Sequence, residues 1–291
     1  MRLAFVHGIN NEENSPASIE RDWWAAIERG WQAAGLAAKP KPRIAAAFYA
    51  DLLAGKTSSP AVEMGPGAES TGFATALLQE YADAAGVTPD ELQRASAALG
   101  IEPEAVAQGV PHEGWIINFA SVLESVLPTK GKWIAKLFLR QATTYINDKV
   151  LAARIDRTVS KQIFGADAGP DPVLVVAHSL GTVVSYRVLA SPAAAGRDVQ
   201  MFLTLGSPLS VRMFKPILPV RGSIPNPPIG AWFNGRHLED FVTLGRAISS
   251  DSIGYSGVID STAIANDESD KHSVLRYLAS PEVARQIYAF L

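Results

Sequence analysis

The residues best suited to chemistry lie at the end of one apolar run. Val173-Leu174-Val175-Val176-Ala177-His178 stops abruptly at Ser179-Leu180-Gly181, and a helix-patterned segment begins at once. A strand, a tight turn and a helix, with a serine at the tip, is the form of a nucleophile elbow. Small residues at Ala177 and Gly181 suit that turn, because strand end and helix start must come together around the serine. Ser179 also sits where a helix begins, and free backbone N–H groups there can bind an oxyanion. The plainer reading makes Ser179 an ordinary helix N-cap. What separates the two is whether the rest of the chain supplies partners.

A serine hydroxyl needs a general base, and the base needs a third group to fix its tautomer and orientation. In a parallel sheet such groups come from loops after strand C-termini. That rule filters the five histidines. His7 follows a strand, beside a glycine. His178 adjoins the serine, so its side chain points away from it. His112 falls among helical segments, and His237 precedes acidic residues on a loop. His272 lies late in the chain, in a polar loop before a closing helix, and the order Ser…Asp…His selects it as the base. Asp240, a short loop beyond the apolar run ending in Trp232-Phe233-Asn234, is the preferred acid over Glu239, Asp251 and Asp260.

The elements that must position these groups alternate. Arg2–Val6 reads as a short buried strand, Ser18–Ala34 as an amphipathic helix with Ile19, Trp23, Ala26, Ile27 and Trp31 on one face, and Arg43–Tyr49 as a second strand. Residues 52–168 abandon the alternation. Gly and Pro cluster between Lys56 and Gly72, and helical segments follow at 72–86, 89–100, 103–108, 115–127 and 132–164, with Thr88-Pro89-Asp90-Glu91 a helix-start signal. The alternation then resumes: the elbow strand, its helix to about Ala190, Val199–Leu205 closed by Gly206-Ser207-Pro208, a proline-rich loop over 216–228, a strand at 229–234, a weak strand at 257–264 and a helix from Pro281. The expected fold is α/β, a mostly parallel sheet with helices on both faces. Residues 1–51 and 169–291 form its core, and 52–168 form a helical cap or lid inserted between them. Apolar cap positions, Trp115 and Trp133 among them, are candidates for contact with substrate, although packing within the cap is the commoner use of such residues.

Composition bounds the partners. Hydrophobic residues make up 47% and charged residues 19%, enough apolar side chain for a sizeable core. The net charge of −3 suggests neither nucleic acid nor an anionic membrane as a partner. With no cysteine there is no disulfide, thiolate metal site or cysteine nucleophile, and the histidines show no H-E-x-x-H spacing, so no metal or other cofactor is expected. No signal peptide and no transmembrane helix are expected, which makes a cytoplasmic protein the default.

Taken together, Phe5-Val6-His7-Gly8-Ile9, Ala177-His178-Ser179-Leu180-Gly181, Leu205-Gly206-Ser207-Pro208, Trp232-x-Asn234 leading to Asp240-Phe241-Val242, and Lys271-His272-Ser273 resemble the α/β-hydrolase superfamily, in particular its bacterial serine-esterase and lipase-like members. Ala177 stands where the pattern has Gly, and Phe241 where related sequences often have Pro. The resemblance implies a small sheet lacking the early antiparallel strands of larger members. It implies Ser179 as nucleophile, His272 as base and Asp240 as its orienter, with the amides of Leu180 and Ile9 as oxyanion hole. His7, Gly8 and His178 would border the substrate. The implied activity is hydrolysis of a small-molecule or lipid-like carboxylic ester through an acyl-enzyme. Thioesterase, amidase or acyltransferase chemistry on the same residues stays open, as does an interfacial phospholipase touching lipid through its cap, or an inactive binding protein.

Overall fold

The computed structural model describes residues 1–57, 76, 79–84, 86–98, 100, 132–165, 172–219, 228–265 and 270–291. In chain order its elements are β1 (Arg2–Val6), α1 (Pro16–Ala33), β2 (Arg43–Ala47), α2 (Ala50–Thr57), α3 (Pro89–Ala98), α4 (Lys132–Asn147), α5 (Lys149–Phe164), β3 (Val173–His178), α6 (Leu180–Leu189), β4 (Val199–Leu205), β5 (Ile229–Gly235), α7 (Ser250–Ile253), β6 (Val258–Ser261), α8 (Val274–Ala279) and α9 (Pro281–Phe290). Short 3-10 turns lie between several of them. The chain divides into two compact units, Met1–Leu52 with Val150–Leu291, and Leu53–Lys149.

The first unit is built on a six-stranded sheet in the order β2-β1-β3-β4-β5-β6, with every neighbouring pair parallel. This is an α/β fold. All the residues of β1 and β3 are buried, as a parallel sheet covered on both faces requires. On one face Leu3, Phe5, Leu174, Val176, Met201, Leu203 and Phe233 pack against α1, α8 and α9 in a single core. The α1 helix opens with a capping box between Ser15 and Ser18. Its Trp31 indole N–H donates to the Ala284 carbonyl of α9 at 3.1 Å, which fixes the two helices together. On the other face Trp232 packs between Phe202 and Tyr186 of α6.

Chain order and strand order disagree at one place. The chain leaves β1 toward β2 on one side, then returns to β3 on the other side of β1. Loops leaving neighbouring strands in opposite directions open a crevice at the carboxyl edge, where ligands of open parallel sheets bind. The loops after β1 and β3 are the ones carrying His7-Gly8-Ile9 and Ser179.

The units differ from the expected partition. The sequence boundary at 168 gives way to one at Val150, so α5 lies in the first unit. Its buried residues include Leu151, Ile155, Val159 and Ile163, a helical stripe that needs a core to cover it. Asp156 of α5 pairs with Arg187 of α6 at 2.9 Å. The helix expected over 132–164 is two helices, parted at Asp148. Neither α2 nor α8 was anticipated, and the weak strand at 257–264 is β6, short and at the sheet edge.

In the second unit, Glu91 and Thr88 cap α3 reciprocally, at 2.8 and 3.3 Å. The buried rings of Tyr81 and Phe138 meet edge to face. Among the described residues, no helix is long and apolar enough to cross a membrane.

Candidate active site

Ser179 is the residue between β3 and α6, and its backbone is strained, with φ 54° and ψ −132°. A non-glycine residue at positive φ costs on the order of 1–3 kcal/mol, and such strain gathers at functional sites. The turn is possible because the helix start lies hard against the end of β1. A Cβ on Gly181 would fall 2.2 Å from the His7 carbonyl oxygen, so no larger residue fits. One on Gly8 would fall 2.5 Å from Ser179 Cβ and 3.2 Å from its Oγ, which places the His7-Gly8-Ile9 loop directly beside the serine. Sheet hydrogen bonding continues past the strand ends into the site, with Ser179 N–H on Leu205 O at 3.0 Å and Gly206 N–H on Gly235 O at 3.1 Å.

His272 and Asp240 meet at the same carboxyl edge. The loop after β5 ends in a 3-10 turn, Phe241–Thr243, whose N-cap is Asp240. Asp240 is 1% exposed. Its Oδ1 accepts the Val242 N–H at 2.9 Å, and His272 Nδ1 lies 2.9 Å from Oδ1 and 2.8 Å from Oδ2. Tyr277 of α8 donates its hydroxyl to Oδ2 at 2.7 Å and accepts the His237 N–H at 2.9 Å. As a carboxylate, Asp240 is therefore fully supplied with donors. Burial and the Asp240 charge hold the Tyr277 phenol well above its ordinary range, so it stays a donor.

The rival residues are engaged elsewhere. Asp260 takes Asn234 at 2.6 Å and Arg236 at 2.8 Å. Glu239 is exposed and lies 3.6 Å from Lys271. Asp251 is exposed in the first turn of α7. The backbone N–H of His237 serves Tyr277, and its ring accepts the Glu239 N–H.

With Nδ1 donating to Asp240, neutral His272 carries its lone pair on Nε2. That nitrogen and Ser179 Oγ are both buried and both lack a hydrogen-bond partner among the described residues. One is an acceptor and the other carries a donor, so each is what the other needs. They are not hydrogen-bonded to each other here; such bonds are often long before substrate binds.

Two peptides beside Ser179 have carbonyls held by side chains. The Gly8 carbonyl accepts from His7 Nδ1 at 2.7 Å and from Asn11 Nδ2 at 3.3 Å. In a planar trans peptide the N–H points opposite to the C=O, so this fixes the Ile9 N–H as well. The Ser179 carbonyl accepts from the Thr182 hydroxyl and N–H at 2.7 and 2.9 Å. Leu180 N–H then projects out of the helix N-terminus. Among the described residues, neither the Ile9 nor the Leu180 amide has a protein acceptor. Preorganised amides of this kind can stabilise developing negative charge.

Two expected substrate contacts are corrected. His7 is wholly buried, its Nε2 accepts the Tyr49 N–H at 3.0 Å, and its Nδ1 serves Gly8, so both nitrogens hold the loop rather than a ligand. Burial lowers its pKa from 6.5 to about 4. His178 spends its Nε2–H on the His272 carbonyl at 2.8 Å, and its ring packs 4.5 Å from that of His272. Burial, then the neighbouring His272, holds it well below 6.5 and therefore neutral. Trp115 lies outside the described residues, and Trp133 is placed only as part of the α4 backbone.

The sequence reading missed Tyr277 and Thr182, and it names Gly206 and Ser207 only within a stretch that carries the resemblance, with no role for either. Gly206 has φ +55°, and a Cβ there would fall 2.9 Å from Asp240 Oδ2 and 3.1 Å from the His272 ring. Its Gly-Ser-Pro setting after a strand was the available signal. Tyr277, an aromatic on a short helix, carried none.

Among the described residues, no group of three or more His, Asp or Glu is placed to hold a metal ion. Compared with protein-family models, curated proteins and solved structures, the chain matches none.

Proposed function

We propose that this chain is a serine hydrolase of the α/β-hydrolase type that cleaves carboxylic esters through an acyl-enzyme. One observation carries the reading. A strained, buried serine shares the carboxyl edge of a parallel sheet with a histidine whose Nδ1 is committed to a buried carboxylate, and among the described residues neither the serine Oγ nor the histidine Nε2 has a partner.

In the proposed reaction Ser179 Oγ attacks the ester carbonyl carbon as its proton passes to His272 Nε2. The Asp240 carboxylate holds the imidazole in the required tautomer and stabilises the imidazolium. The carbonyl oxygen takes the negative charge and accepts from the Leu180 and Ile9 amides. The carbon–alkoxy bond then breaks, and the leaving alcohol takes the proton from Nε2. Water attacks the acyl-serine by the same route, giving its proton to Nε2. The serine oxygen takes that proton back, and the acid departs. Losing one oxyanion donor in such a site typically costs ~10²–10³ in turnover.

The test is hydrolysis of p-nitrophenyl esters of graded acyl length by the intact protein and by Ser179→Ala, His272→Ala and Asp240→Asn. Turnover by wild type that each substitution reduces by orders of magnitude supports the reading. Hydrolysis that survives Ser179→Ala removes it.

A further inference from the structure

Thr182 and Ser207 are buried hydroxyl residues on different elements, the first turn of α6 and the loop after β4. Their oxygens lie 2.8 Å apart. The direction of every hydrogen in this group follows from counting donors. A hydroxyl has one proton, and that of Thr182 goes to the Ser179 carbonyl at 2.7 Å. Ser207 must therefore donate to Thr182. Ser207 Oγ in turn accepts the Leu209 N–H at 3.2 Å. The result is a directed chain: Leu209 N–H, Ser207 hydroxyl, Thr182 hydroxyl, Ser179 carbonyl. Aligned donors in a low-dielectric interior polarise one another, so the chain is stiffer than its members taken singly.

What the chain grips is the peptide between Ser179 and Leu180. That unit is planar, and its N–H is antiparallel to its C=O. Holding the carbonyl inward fixes the Leu180 N–H outward, on the side of the serine. We propose that Thr182 and Ser207 are positioning residues for the oxyanion donor Leu180. This rests on the reading of Ser179 as the nucleophile. The anchor of the chain is the loop whose Gly206 also packs against Asp240 and His272. One loop thereby registers both the acid–base pair, beside Gly206, and the oxyanion donor, through Ser207. Neither hydroxyl touches substrate; each acts through the peptide.

The alternative is that the chain only satisfies buried polar groups and ties α6 to β4. The two roles separate in kinetics. Thr182→Val keeps the side-chain shape and removes the hydroxyl. Thr182→Ser keeps the hydroxyl. Ser207→Ala removes the second link while leaving Thr182 on the carbonyl. Rates are measured per active site, counted by end-point titration with a fluorophosphonate. The inhibition constant of a trifluoromethyl ketone, which forms a tetrahedral adduct bearing the oxyanion, is measured beside them.

A misaimed donor costs less than a missing one, so Thr182→Val lowers kcat by roughly ten-fold, short of the ~10²–10³ of full donor loss. KM changes by less than about two-fold, as for an interaction made in the transition state. Ketone affinity falls in proportion to kcat/KM, Thr182→Ser recovers both, and Ser207→Ala lies between. A Thr182→Val protein whose titrated sites turn over and bind the ketone like wild type overturns the inference, whatever its melting temperature. It overturns this inference alone if wild type labels at Ser179. Wild type that neither labels nor hydrolyses any ester overturns the proposed function together with it.

Discussion

Asp240 has one lone pair or more turned toward each of three donors, and His272 is only one of them. Asp240→Asn keeps the volume but presents an amide that favours the wrong histidine tautomer. In the proposed reaction it lowers kcat by about 10⁴, measured on an activated ester. Tyr277→Phe is milder. The carboxylate keeps Val242 and His272, loses one charge-assisted bond, and strands the His237 N–H. We expect a stability loss of about 1–3 kcal/mol by urea titration, with turnover lowered but not abolished. Tyr277→Phe turning over and unfolding as wild type does would show that its two bonds have no consequence.

At the scale of elements, the site depends on close backbone approaches. Gly181→Ala puts a Cβ 2.2 Å from a backbone oxygen of His7, which cannot swing aside as a side chain would. Destabilisation of about 3 kcal/mol is expected, read from the denaturation midpoint. Gly206→Ala meets a left-handed φ and the Asp240–His272 pair at once, so turnover should fall out of proportion to stability.

How much of this was legible follows from the same elements. The strands with the strongest apolar runs, β1, β3 and β4, were readable, and so were the loops leaving them. The places of Ser179 and Asp240 were readable because each follows a strand run, whereas His272 stands out only by its order after them, in a polar loop before a helix. The group contacts that hold them were not. Tyr277 has the spacing of a core aromatic, Thr182 sits inside an apolar helix, and nothing in sequence says that Ser207 will face it. The α5 helix was misassigned to the insertion because periodicity reveals an apolar stripe but not which core covers it.

For the molecule as a whole, the parallel strands bring the loops after β1, β3, β4 and β5 to one sheet edge, and acid should loosen that edge first. Folded His7 titrates near 4 against 6.5 for the free side chain. Between those values the unfolded chain binds a proton that the folded chain refuses, so stability is fully present above pH 6.5 and falls as the pH drops toward 4. The loss from His7 is on the order of 3 kcal/mol. His178 is displaced in the same direction and adds to it. Urea titrations from pH 7 to pH 4 should show this decline, with a shallower slope in His7→Gln. Equal slopes in the two proteins would show that His7 is not the titrating group.

If Ser179 is the nucleophile, a fluorophosphonate must capture it covalently. The intact protein is treated with a fluorophosphonate, weighed, digested and mapped. A single adduct on Ser179 is expected, absent from Ser179→Ala and strongly slowed in His272→Ala. No adduct on wild type, or one that persists at another residue in Ser179→Ala, contradicts Ser179 as the nucleophile.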